Sequence, residues 1–75
     1  MITEIIVKNL EEGLRIMGEA VESRDQRRWD VGQGAYDGGV LSAQLEHFDV
    51  SKYVNRGTDL IKTARSAGMI IRRRQ

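Results

Sequence analysis

The sequence predicts one small, mainly α domain of about three helices, and three observations carry that expectation. Apolar residues recur at helical spacing near both ends of the chain. There is no proline, so nothing of that kind interrupts a long helix. Glycines gather between the two apolar regions, as Gly32-Gln33-Gly34 and Gly38-Gly39, and predict a glycine-rich connector there. At 75 residues, a second domain is excluded by size.

Near the start, Ile6, Leu10, Leu14, Met17 and Val21 follow one another at spacings of four, four, three and four. That sets them on one stripe of a helix facing a core. Beginning from Val7 instead, the spacing alternates three and four, as in the seam of a coiled coil. Two starts fit this helix. In the reading adopted, Thr3 precedes an unbroken helix from Glu4, because the stripe continues back through Ile6. In the alternative, Asn9 and Glu12 form a capping box, and the β-branched segment Ile2–Lys8 is a strand. Met69–Arg73 is then its natural pairing partner, which makes the fold a small α+β domain. Gly13 and Gly18 each cost the helix about 1 kcal/mol relative to alanine, and the expectation is that they permit close contact with another helix.

Beyond the connector, Tyr36, Val40, Leu41, Leu45 and Phe48 suggest a short second helix capped by Asp37. Asp49 is placed to cap a third, whose Val50, Tyr53, Val54, Leu60, Ile61 and Ala64 fall within an arc of about 120°. Gly57 lies near the middle of that arc. It either admits a neighbouring backbone or breaks the helix ahead of Thr58. Gly68 reads as a helix C-terminal residue, followed by apolar Met69-Ile70-Ile71 and basic Arg72-Arg73-Arg74.

The composition narrows the function classes. Without cysteine there is no disulfide and no cysteine-ligated zinc or iron–sulfur site. His47 is the only histidine, which argues against a histidine-rich metal site, and no cofactor is expected. A domain of this length hides only about 60% of its unfolded surface. Self-association or a protein partner is therefore the expected further source of stability. No run approaches the roughly 18 apolar residues of a membrane span. The opening Met1-Ile2-Thr3-Glu4 lacks the regions of a secretory signal, so cytoplasm is the default expectation.

Two arrangements invite a chemical reading. Gly32-Gln33-Gly34-Ala35-Tyr36-Asp37 places Asp37 where a dinucleotide fingerprint needs its third glycine, and a carboxylate there repels phosphate. His47 sits between Glu46 and Phe48, but neighbours on a helix point about 100° apart. Ser42 and Ser51 carry no nucleophile motif. No catalytic residue is nominated, and the chain is expected not to be an enzyme.

Surfaces remain. Leu10, Leu14, Met17, Val21, Trp29 and Tyr36 are the candidate protein interface. Trp29 follows Arg27-Arg28, and tryptophan and arginine are frequent binding anchors, although the same tryptophan would also complete a small core. Glu11, Glu12, Glu19 and Glu22 lie on the outer sides of the first helix. Residues 38–75 hold seven basic against three acidic side chains, a balance of +4, whereas residues 1–37 hold five against eight, −3. Such a split points to a charged partner. Lys52, Arg56, Arg72, Arg73 and Arg74 are candidate nucleic-acid contacts, though basic residues after a helix also suit its dipole. The expectation is a non-enzymatic protein-interaction module, an inhibitor or adaptor that masks a partner's surface. The alternative is a small nucleic-acid-binding regulator. In size and lack of motifs the chain is similar to small proteins carried by phages and mobile elements, a likeness of scale alone.

Overall fold

In the computed structural model, which describes residues 2–72, the periodic apolar positions fold into three α-helices. They are α1 (Ile2–Ser23), α2 (Gln26–Leu45) and α3 (Ser51–Ser66), with no strand among the described residues. The mainly α expectation holds, and the strand-containing alternative does not. Ile2–Lys8 is the first part of α1, which runs unbroken past Asn9 because the buried stripe needs Ile6 and Leu10 on one face. Met69 to Arg72 lies outside any regular element and attaches to α2; Arg73 is beyond the described residues.

Ile6, Leu10, Leu14 and Met17 are at most 2% exposed, and they meet α2 running antiparallel. The approach is close. A Cβ added to Gly13 would lie 2.7 Å from the Tyr36 amide nitrogen and 2.8 Å from the Gly32 carbonyl oxygen. One added to Gly32 would lie 2.8 Å from the Met17 nitrogen, and one on Gly39 2.8 Å from Leu10 Cδ2. Rising numbers on α1 thus meet falling numbers on α2, the register of a helical hairpin.

This geometry corrects the placement of the connector. Gly32, Gly34, Gly38 and Gly39 are all inside α2, with Asp37 in mid-helix and no capping role. Each glycine weakens a helix by about 1 kcal/mol, but that is a local preference. Burying Trp29, Tyr36 and Ala43 of α2 against the α1 stripe offsets it, since a large apolar side chain contributes about 1.5–3 kcal/mol when fully buried.

All three helices end alike. Arg24, His47 and Gly68 take left-handed backbone conformations with φ of 52°, 55° and 80°. The next amide returns to the carbonyl five residues back: Asp25 N to Ala20 O at 2.9 Å, Phe48 N to Ala43 O at 2.9 Å, and Met69 N to Ala64 O at 3.0 Å. Bonds of three-residue span accompany them from Arg24 N to Val21 O, His47 N to Gln44 O and Gly68 N to Arg65 O. This is the Schellman arrangement, and in each case the accepting residue is a fully buried alanine. The α1–α2 turn is short because Asp25 closes one helix and caps the next, its side chain accepting from the Arg28 amide at 3.2 Å.

On α3, Val50, Ile61 and Ala64 are buried while Tyr53, Val54 and Leu60 are half-buried, as their common arc predicts. Val50 occupies the N-cap position. Asp49 acts from one residue earlier, accepting from the Ser51 hydroxyl at 2.6 Å and the Ser51 amide at 3.0 Å, bonds that hold its carboxyl below the ordinary aspartate range. Gly57 neither breaks the helix nor receives a backbone. The Tyr36 ring covers it, leaving no room for a side chain.

Two expectations follow for stability, both read by urea or thermal unfolding. Gly13→Ala destabilises by about 1–3 kcal/mol, because the intruding methyl meets rigid backbone, whereas Gly18→Ala, with nothing within 4 Å of the new Cβ, stabilises by about 1 kcal/mol. His47→Gly and Arg24→Gly each stabilise by about 0.5–1 kcal/mol, since a left-handed residue with a Cβ carries a penalty of about 1–2 kcal/mol that glycine lacks.

Candidate interaction surface

Of the six residues expected at a protein interface, five lie in the chain's own core. Leu10, Met17 and Trp29 have no exposed area, Leu14 has 1% and Tyr36 has 5%. Val21 is half-buried against the same cluster. The coiled-coil-like seam of α1 is real, but it is filled by α2 and α3 of the same chain.

Trp29 brings a polar group inward with it. Its indole N–H donates to Gln33 Oε1 at 2.8 Å, and Gln33, 3% exposed, turns its amide nitrogen to the Arg72 carbonyl at 2.7 Å. One turn before Trp29, Gln26 grips the same C-terminal segment. Its Nε2 donates to the Ile70 carbonyl at 2.8 Å and its Oε1 accepts from the Ile70 amide at 2.9 Å, a two-bond ring of the kind backbones form with each other. Arg72 adds a longer ion pair to Asp30, 3.6 Å. Two glutamines seven residues apart on α2 thus strap residues 70–72 over it by their backbone. Sequence reasoning missed this clamp. The only signal was Gln26 and Gln33 at two-turn spacing, and nothing marked which segment they would hold.

The opposite side of α2 is uncovered. Val31, Leu41 and Leu45 are 64%, 43% and 79% exposed. With Arg27, Gly34 and Gly38 they fall within an arc of about 80° at 100° per residue, facing away from Trp29, Tyr36 and Ala43. A Cβ added at Gly34 or Gly38 meets nothing within 4 Å, so neither glycine is required by packing within the chain. Val31 also borders a shallow hollow with Ile16, rimmed by Arg15, Arg27 and Arg28. Glu19 joins Arg28 at 2.8 Å and Arg15 at 3.0 Å, bridging the two helices at that rim.

Between α2 and α3 runs an open cleft of about 360 Å³, lined by Tyr36, Val40, Leu41, Val54, Thr58 and Ile61 among others. It exists because α3 packs chiefly on α1 and reaches α2 mainly where Tyr36 meets Gly57.

The basic candidates are dispersed. Lys52 lies 5.7 Å from the Tyr53 ring centre. Arg56 borders a groove between α1 and α3 that also holds Glu19, Glu22 and Asp59. Arg72 is over α2 beside Asp30. Arg73 and Arg74 lie outside the described residues. His47 is exposed at the left-handed turn after α2, with Glu46 at the helix C-cap and Asp49 committed to Ser51. No group of three His, Cys, Asp or Glu side chains among the described residues is arranged to hold a metal ion. No helix there is long and apolar enough to cross a membrane.

The clamp gives a direct expectation. Gln33→Ala leaves the buried Trp29 N–H without its acceptor and lowers stability by about 1–3 kcal/mol in denaturant unfolding. Gln26→Ala frees the strap locally and speeds trypsin cleavage after Arg72, with a smaller change in the unfolding midpoint.

No protein family, curated protein or solved structure matches this chain.

Proposed function

We propose that this chain is a non-enzymatic protein-interaction module whose contact surface is the outer face of α2. The supporting observation is the row of Val31, Leu41 and Leu45, large apolar side chains exposed along one helix with two open glycines between them. Single exposed apolar residues are ordinary, but several aligned along one helix face of a small domain suit a binding site. Gly34 and Gly38 strengthen the reading. Each weakens α2 by about 1 kcal/mol relative to alanine, and nothing in the chain uses the space they leave. A partner lying close against the helix does.

The mechanism is steric. Val31, Leu41 and Leu45 fill hollows in the partner, the glycines let the two backbones approach, and the arginines at the N-terminal end of α2 set orientation. This suits an inhibitor or adaptor that masks a surface. A non-catalytic role accords with a cleft open to solvent and with His47 held in a turn. A nucleic-acid role has less support, because Arg56 and Arg72 stand beside carboxylates that would meet phosphate.

The test compares two charge changes. Val31→Asp with Leu45→Asp abolishes chemically cross-linked protein adducts formed in the native host and leaves the circular dichroism spectrum unchanged, since neither side chain is buried. Lys52→Glu with Arg56→Glu leaves the adducts intact. The reading is overturned if adducts survive the α2 changes, or if none forms and labelled DNA or RNA binds in a manner that Lys52→Glu with Arg56→Glu abolishes.

A further inference from the structure

We infer that the occupant of the outer α2 face is a second copy of the same chain, lying antiparallel across a two-fold axis beside residue 36. This rests on the reading above, that the face is an interface, and adds the identity of the partner.

The first argument is the order of residues on the face. Arg27, Val31, Gly34, Gly38, Leu41 and Leu45 are spaced four, three, four, three and four, a series that reads the same in both directions. An isologous two-fold contact requires each residue to meet its counterpart about a common midpoint. Here Val31 meets Leu41 of the other copy, Gly34 meets Gly38, and Arg27 meets Leu45. Every pair is centred on residue 36. Apolar pairs flank a glycine pair at the axis, so the helices approach most closely where they cross, and the alternation of three and four is that of a two-helix seam. The face runs for about 27 Å at 1.5 Å per residue, most of the molecule's 35 Å length.

Charge supplies the second argument. α2 begins with Arg27 and Arg28 in its first turn and has Glu46 at its C-cap, and it carries no acidic residue in the first turn or basic residue in the last. Asp25 caps the N-terminus, but the positions of Arg27, Arg28 and Glu46 oppose the helix dipole, which favours anions at the N-terminus and cations at the C-terminus. Turning a second copy end for end reverses this at both ends. Each Arg27 then lies by the partner helix's C-terminal carbonyls and Glu46, and the two dipoles run in opposition. Arg28 is tied to Glu19, but Arg27 makes no ion pair with a described residue and is available for this contact. A parallel pair would set Arg27 against Arg27 and align the dipoles unfavourably.

The experiment uses the absence of cysteine. Wild-type chain in multi-angle light scattering shows twice the 8.5 kDa monomer mass at high concentration, falling towards one on dilution. Gly34→Leu, on a site open within the monomer, keeps the helical spectrum and remains at monomer mass. Under mild oxidation, an equimolar mixture of Val31→Cys and Leu41→Cys chains gives mixed disulfide dimers in excess of either homodimer. A mass fixed at one chain at every concentration overturns the inference, as does predominance of the two homodimers, the signature of parallel pairing. Monomeric protein whose host adducts are still lost on Val31→Asp with Leu45→Asp defeats the second copy and leaves the interface standing for a different protein.

Discussion

The close passage of α1 over α2 at Gly13 and Gly32 is the constraint on which the rest of this fold depends. With the Gly32 carbonyl and the Tyr36 amide nitrogen both within 2.8 Å of where a Gly13 Cβ would stand, the two backbones touch with no side chain between them. That contact draws Leu10, Met17, Trp29 and Ala43 into a core with no exposed area, in a chain too short to build a broad one. It also fixes the rotation of α2 about its own axis. Once Gly32 and Gly39 face α1, Tyr36 is directed at Gly57 and Gln33 at the C-terminal segment, while Val31, Leu41 and Leu45 are turned outward.

The faces of α2 thus have different duties. One packs on α1, and a second holds the strap through Gln26 and Gln33. The outer face, with Val31, Leu41 and Leu45, is left largely exposed. The polar side chains of α2, Gln26, Asp30, Gln33, Asp37 and Gln44, gather on the strap side, so the outer row of Val31, Leu41 and Leu45 is apolar and exposed beyond it. α1 and α3 each set one buried apolar stripe against charged flanks, such as Glu11, Glu12 and Arg15 on α1, and α1 also exposes Ile2 and Ile5 near its start. The proposed interaction rests on the exposed row of α2, where two open glycines lie between the large apolar side chains. The proposed two-fold pairing accounts for why the uncovered glycines sit between apolar residues.

The helix ends show how little sequence a turn requires when tertiary packing supports it. Glycine provides the left-handed residue only after α3. Arginine and histidine serve after α1 and α2, at a conformational cost that the six-residue hydrogen bond and the buried alanine behind it offset. His47, which looked like a candidate for chemistry beside Glu46 and Asp49, is one of these turn residues. Its neighbours serve the helix end and the start of α3.

The sequence alone determined the helical class, the buried stripe of α1, the buried arc of α3 and the Gly68 terminus, because spacing and backbone preference are local; it left two starts open for α1, between which the tertiary structure chose the unbroken helix. Only the tertiary structure decided what the glycines do. Gly32 to Gly39 look like a break when judged by propensity, since a glycine's helix penalty is visible along the chain and its compensation, another helix lying where a side chain would be, is not. The same reason hid which apolar residues the chain buries and which it leaves exposed. Periodicity identifies Leu10, Leu14 and Met17 as a stripe that must be covered, but whether the cover comes from the same chain or another depends on contacts between residues far apart in sequence. Here α2 and α3 cover it, and the exposed row is Val31, Leu41 and Leu45.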